Sequence, residues 1–190
     1  MNIASLKDNL LKDVLSSSYA DRKIIFGEGS ENAKIFMIGE APGGDEEKQG
    51  RPFVGKAGKN LNEFLNIVGL ERKDIYISNV VKIRPFSLSN KTGNPVNRTP
   101  NKTEIKFFSP YLMKEIEIIK PDIIVTLGNV PLRTVLENDK INIGDYHGKI
   151  TQYKNNKIFA LYHPAAIIYN SKLKETYYND LNNLKNILFN

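Results

Sequence analysis

With 190 residues, 41% of them hydrophobic and 25% charged, the chain is expected to form one globular domain over 1–190 with its own core. It has no cysteine and two histidines, His147 and His163, so disulfides, thiolate catalysis, thiolate metal sites, cysteine-held iron–sulfur clusters and three-histidine metal centres within one chain are excluded. The net charge of +6 permits a polyanionic partner without requiring one.

In chain order, Ile3, Leu6, Leu10, Val14 and Leu15 recur at helical spacing and predict an amphipathic helix over 3–15. Lys7, Asp8, Lys12 and Asp13 interrupt every apolar run there, so neither a secretory signal nor a membrane span is expected, and the chain reads as cytoplasmic. Lys34–Ile38 predicts a strand ending at Gly39. The stretch GEAPGGDEEKQGRPFVGKAG then breaks regular structure. Leu61, Phe64, Leu65 and Val68 form a helical stripe closed by Gly69. Ile75–Ser78 predicts a second strand, and 83–100 a long polar loop.

Asn101 and Glu104 have capping-box spacing before a helix in which Pro110 predicts a kink or break. Asp122–Leu127 predicts a third strand, Pro131–Leu136 a helix, Lys157–Leu161 a fourth strand, and Leu173 to Leu188 the closing helix. Short apolar strands alternating with helices predict an α/β fold, a parallel sheet covered by helices. Ligands bind such sheets at the carboxyl ends of the strands. Three features meet there: Gly39 to Gly43, Asn79 and His163.

Each has an ordinary reading as well as a functional one. The glycines after the first strand can serve a plain turn, or let backbone N–H groups approach a ligand. Asn79 can cap a strand end, or pair its acceptor and donors with an imide edge such as that of uracil. His163 can be structural or a rim catalyst. Phe53, in a polar loop, can tuck into the core or stack on a base. Between Lys82 and Lys106 stand Lys82, Arg84, Lys91, Arg98, Lys102 and Lys106 against Glu104, six bases less one acid, a local net of +5. The stretch is either a solvated loop or, as a local excess close to the whole net charge favours, a surface facing phosphates, with Lys82, Arg84, Arg98 and Lys102 as its contacts.

GEAPGGDEEKQGRPFVGKAG, SNVVKIRP, NRTP, TLGN and HPAA occur in that order, and this ordered set resembles the uracil-DNA glycosylase superfamily, within it the iron–sulfur branch called family four. The resemblance implies a three-layer α/β/α sandwich with a central four-stranded parallel sheet. It also implies hydrolysis of the N-glycosidic bond of deoxyuridine in DNA, starting base excision repair. By the same resemblance Glu40, with Gly39, Ala41 and Gly43, lies beside sugar and uracil. Phe53 stacks on the base, Asn79 reads its imide edge, Asn97 lies near the site and His163 donates to uracil O2. Glu46 matches a further acid, grouped with Glu40 and His163 as catalytic. Ile167, Ile168 or Tyr169 are candidates to fill the vacated base stack, or ordinary helix packing.

The chain departs from the pattern at the cluster cysteines, in one loop and at two site positions. Four cysteines hold a [4Fe–4S] cluster in that branch; here the third position is Ile83 and the fourth Phe108, and serines and Leu15 occupy the region of the first two. No cofactor and no metal are therefore expected, and the space is expected to be refilled with core. Residues 86–95 form a longer loop than usual. Ala41 stands where some relatives carry a water-orienting Asp or Asn, and Asn97 where one carries a sugar-trapping histidine. The expected partner is uracil-containing DNA, bound by a monomer. Two other readings remain open at this stage: a catalytically weak nucleic-acid-binding module of the same fold, and a glycosylase for another deaminated base such as hypoxanthine.

Overall fold

The structure, a computed structural model, describes residues 1–170 and 172–189, with the backbone alone for Ile168 and Tyr169. The chain opens with α1 (Ile3–Leu15), β1 (Glu28–Gly29), β2 (Ile35–Gly39), α2 (Gly44–Gln49) and α3 (Lys56–Val68). A 3-10 turn (Arg72–Asp74) leads into β3 (Ile75–Asn79), then β4 (Phe86–Leu88), β5 (Pro95–Asn97) and α4 (Lys102–Ile119). The last part holds β6 (Ile123–Leu127), α5 (Asn129–Val135), α6 (Ile143–Tyr146), β7 (Ile150–Tyr153), β8 (Asn156–Leu161), α7 (Ala166–Tyr169) and α8 (Leu173–Phe189).

Successive side chains of a strand point to opposite faces, and these strands are apolar on both. Phe36, Ile38, Tyr76, Ile124 and Ile158 pack with Leu6, Leu10, Leu112, Ile116 and Leu132 of α1, α4 and α5. Their alternates Ile35, Met37, Ile77, Val125 and Phe159 pack with Leu61, Phe64, Leu65, Leu181 and Leu184 of α3 and α8. Two cores on one sheet make the three-layer α/β/α sandwich. The four parallel strands run in the order β3-β2-β6-β8. Two antiparallel edge strands extend them to six, β1 beside β3 and β7 beside β8.

The edges escape sequence reading because β1 has two residues and β7 is half exposed, without an apolar run. The loop over 83–100 contains a hairpin: Phe86 pairs with Asn97 and Leu88 with Pro95. Its tip turns at Gly93, whose φ of 69° lies in the left-handed region. α4 runs undivided through Pro110. Pro110 is exposed, as is Lys106, whose carbonyl loses its partner and faces water rather than the core. The helix is capped as expected: Asn101 Oδ1 accepts from Glu104 N at 2.9 Å, and Glu104 Oε2 accepts from Asn101 N at 2.7 Å.

The register sets the site. Gly39 and Asn79 are partners at the carboxyl ends of β2 and β3, and β8 ends at Leu161, two residues before His163. Among the described residues no helix is long and apolar enough to cross a membrane.

Candidate active site

Where these strands end, a cavity of about 320 Å³ opens, lined by Ala41, Gly43, Glu46, Phe53, Asn79, Asn97 and His163 among others. All seven are expected from the sequence. Asn79 is 3% exposed, and among the described residues its side-chain amide makes no hydrogen bond. The amide is not sealed off but reaches the cavity that it lines, open to whatever enters there.

Gly39 explains how Asn79 and Phe53 come together. A Cβ on Gly39 would lie 2.4 Å from Asn79 Oδ1 and 2.4 Å from the Phe53 ring. Only glycine fits between them. Phe53 has φ 53°, a left-handed conformation that costs energy for a bulky residue. Arg72 supports it, donating to the carbonyls of Phe53 and Pro52 and to Asn62 Oδ1. Gly58 lets α3 approach, since a Cβ there would lie 1.9 Å from the Phe53 carbonyl oxygen.

His163 approaches from β8 past Gly128, at φ 97° and with the His163 Cβ as its nearest neighbour. His163 Nδ1 accepts from Ala165 N at 3.2 Å. That leaves the proton on Nε2, a donor. Burial lowers the His163 pKa to about 4, against a smaller opposing pull from Glu46. The ring is therefore neutral at physiological pH and still donates.

The two glutamates differ. Glu46 is buried, and both carboxylate oxygens accept backbone N–H groups: Oε2 from Gly43 at 3.1 Å, Oε1 from Val54 at 2.9 Å and Gly55 at 2.8 Å. It clasps the two motif loops together while still lining the cavity. Glu40 is not on the cavity wall but directly precedes Ala41, which is. Burial pushes its carboxyl pKa up, and a hydrogen bond with Thr99 works the other way.

The basic stretch is where the sequence misleads most. Lys82 is no surface contact: it is fully buried, with Nζ 2.6 Å from Glu115 Oε2. Arg84 pairs with Glu47 at 3.0 Å and donates to Asn97 Oδ1 at 2.8 Å, aiming Asn97 at the cavity. Arg98 makes a two-pronged pair with Glu104, both bonds 2.8 Å, which joins the hairpin to the start of α4. These hydrogen bonds hold the Glu104 carboxyl below the usual range. Glu47 and Glu115 lie outside the stretch, so much of its +5 is neutralised by residues a linear count does not see. Lys102 stays 94% exposed, 3.9 Å from Asp139.

The space that matches the cluster position is hydrocarbon. Ile83 and Phe108 are both fully buried. Tyr19 meets Phe107 edge-on at 5.1 Å and Phe108 at a tilt at 5.5 Å, and Phe107 meets Phe108 edge-on at 4.8 Å. Arg22 lies 4.7 Å from the Phe86 ring and donates to the Arg84 carbonyl. With no sulfur in this donor set, the residues do not fit a [4Fe–4S] cluster, and among the described residues no group of His, Asp and Glu is placed to hold a metal.

Asp45, Lys56 and Ala165 also line the cavity and were not singled out, because the motif carries no separate signal for them. Ile167 is half-buried against the second core, which agrees with plain packing. The side chains of Ile168 and Tyr169, the other candidates for filling the stack, lie outside the described residues.

Comparison with known proteins agrees with this geometry. A model of the uracil DNA glycosylase superfamily matches residues 26–184. The chain is 42% identical over 169 residues to a type-4 uracil-DNA glycosylase of Sulfurisphaera tokodaii, covering 85% of this chain and 73% of that protein. It is 36% identical over 185 residues to one of Archaeoglobus fulgidus, covering 91% and 88%. It also matches a DNA polymerase of Bacillus phage SP01, 32% identical over 163 residues, 85% of this chain but 16% of the polymerase.

Proposed function

Since the chain belongs to the uracil-DNA glycosylase superfamily, we propose that the cavity between Phe53, Asn79 and His163 takes a uracil flipped out of DNA. The enzyme is a uracil-DNA glycosylase, hydrolysing the bond between base and deoxyribose. One chain supplies every group named, which supports action as a monomer and a single domain over 1–190.

A uracil stacked in a duplex is out of reach, so the nucleotide is extruded at a cost of about a few kcal/mol. In the cavity the base stacks on Phe53. Asn79 Oδ1 accepts from uracil N3–H, and its amide nitrogen donates to O4. As the glycosidic bond breaks, the bonding electrons stay with the base and negative charge grows on O2. His163 Nε2–H meets that charge. A neutral donor, fixed before the reaction, stabilises the leaving anion without first taking up a proton. Glu40, one residue from the wall, is assigned the sugar side, where a carboxylate favours the developing cation. Ala41 has no group to orient water, so water enters without help from that position. Asn97 lacks a nucleophile's chemistry, and the abasic sugar leaves without a covalent adduct to it.

The observation that carries this reading is the Asn79 amide on the cavity wall opposite Phe53, without a hydrogen-bond partner among the described residues. Its test is single-turnover cleavage of matched uracil and cytosine oligonucleotides by wild type and Asn79→Asp. Cytosine presents an unprotonated N3 and an amino group, so both contacts fail. A hydrogen-bonding site rejects such an edge by roughly 10⁴–10⁵. The variant keeps the acceptor, loses the donor to O4 and should narrow that ratio. An unchanged ratio means that Asn79 does not read the base. Hypoxanthine and thymine-mismatch oligonucleotides in the same assay test the other-base reading; binding without cleavage of any of them would support the module.

A further inference from the structure

The Lys82 ammonium has three donors and spends each on a different partner: Ser78 Oγ at 2.6 Å, the Asn79 carbonyl oxygen at 2.8 Å and Glu115 Oε2 at 2.6 Å. Lys82 is fully buried and Glu115 is 4% exposed. Such a pair is a poor way to gain stability. Desolvation of both ions offsets their attraction, and well-packed apolar residues of the same volume usually serve as well or better.

Its placement suggests another use. The peptide unit between Asn79 and Val80 is held at both of its polar ends. Its N–H, from Val80, donates to the Gly39 carbonyl at 2.9 Å, and its C=O accepts from Lys82. A peptide is planar, so fixing both ends fixes its plane; the β2–β3 ladder holds the strand on the other side of Asn79, and the two constraints together set the direction in which the Asn79 side chain leaves the backbone. The anchor reaches beyond the strand, because Glu115 belongs to α4. The next residue is tied too: Val81 N–H donates to the Glu40 carbonyl at 3.1 Å.

We propose that Lys82, anchored by Glu115, is the positioning residue for Asn79, holding its amide at the angle that uracil recognition needs. This rests on Asn79 being the base reader. It gives the basic residue after the strand a task inside the protein, where the charge count had placed it on DNA.

The test is a double-mutant cycle on single-turnover uracil excision. Lys82→Met with Glu115→Leu replaces the ion pair by apolar residues, so melting is expected to stay close to wild type. With Asn79 present, excision should fall about 10- to 100-fold, as misplaced contact groups do. In an Asn79→Ala background the same replacement should cost less than about twofold, because the group it positions is gone. If the losses multiply, or the replacement costs nothing with Asn79 present, Lys82 does not act through Asn79 and the inference is overturned. If Asn79→Ala alone leaves excision unchanged, the fault lies earlier, in the reading of Asn79. Should the apolar pair not fold, the same cycle with Glu115→Gln decides, with a smaller loss that again disappears without Asn79.

Discussion

The segment 79–84 gives Asn79 to the cavity rim and Ile83 to the core that holds Phe108, and the two places differ in what they require. At the rim each feature is one atom in one place: the Asn79 amide, the His163 Nε2 proton, the absent Cβ of Gly39. In that core the requirement is volume and stiffness. Where thiolates around an inorganic cluster brace this segment in the branch that the motifs resemble, here Tyr19, Ile83, Phe107 and Phe108 fill the space. A brace can be rebuilt from other materials, because any close-packed set transmits the same constraint. A recognition edge cannot, because donors and acceptors must match.

The contrast breaks first at His163. His163→Ala removes one fixed donor to the charge that develops on O2, and single-turnover cleavage should fall about 10²–10³-fold. Affinity for uracil-containing DNA should hardly change. A fall in cleavage no larger than the fall in binding would make His163 part of the scaffold and erase the difference between the two regions.

The brace should fail in a different currency. Phe108→Ala leaves a cavity where a fully buried ring stood and should cost about 3–5 kcal/mol of stability, read as a lower denaturation midpoint. Well below that midpoint, uracil discrimination should persist. The purified wild type should show no iron–sulfur absorption in the visible and no stoichiometric iron. Visible bands with bound iron would mean that ligands other than cysteine hold a metal here.

Acid separates the regions again. The His163 pKa of about 4 lies below the unfolded value of 6.5, so the neutral ring favours the folded state above 6.5. That contribution is lost as pH falls from 6.5 toward 4, because only the unfolded chain takes up the proton in this window. His163→Asn should flatten the stability profile there. The cleavage rate should likewise show no midpoint near 6.5. Its acid limb should come from Glu40, whose raised pKa places the loss above the usual carboxylate range. A rate midpoint at 6.5 that vanishes in His163→Asn would mean that the imidazole is not desolvated.

Sequence reading succeeds where a requirement is local. Short continuous apolar runs along Ile35–Gly39, Ile75–Asn79 and Ile123–Leu127 name the central strands, and the parallel register then brings Gly39 to Asn79. It fails where the partner is distant or is the backbone itself. The sequence does not show that Glu46 accepts three backbone N–H groups, from Gly43, Val54 and Gly55, and so ties two loops together. The hairpin of 86–97 is invisible because five of the six residues in its strands are exposed, so no apolar pattern toward a core marks it. Lys82 looks like a phosphate contact because Glu115, which neutralises it, is 33 residues away.

That last error makes the smallest expected effect the sharpest one to measure. Each phosphate contact that a cation makes adds about 0.9 to the slope of log affinity against log salt. If the stretch 82–106 acts by its linear charge, every base in it should contribute alike. The geometry divides them instead. Lys82 is sealed in, and Arg98 gives both guanidinium prongs to Glu104, while Lys102 is 94% exposed with a partner 3.9 Å away. Lys102→Gln should therefore lower the slope by about one contact, with little change in single-turnover cleavage at saturating enzyme. Replacing Lys82 and Glu115 together should leave the slope as it is. Arg98→Gln should show itself mainly as lost stability, because it frees Glu104 at the cap of α4. A flat response to Lys102→Gln would turn this side of the hairpin away from DNA. A reduced slope in the Lys82 and Glu115 replacement would mean that the 79–84 segment carries DNA contacts through the brace, and that the two regions are one.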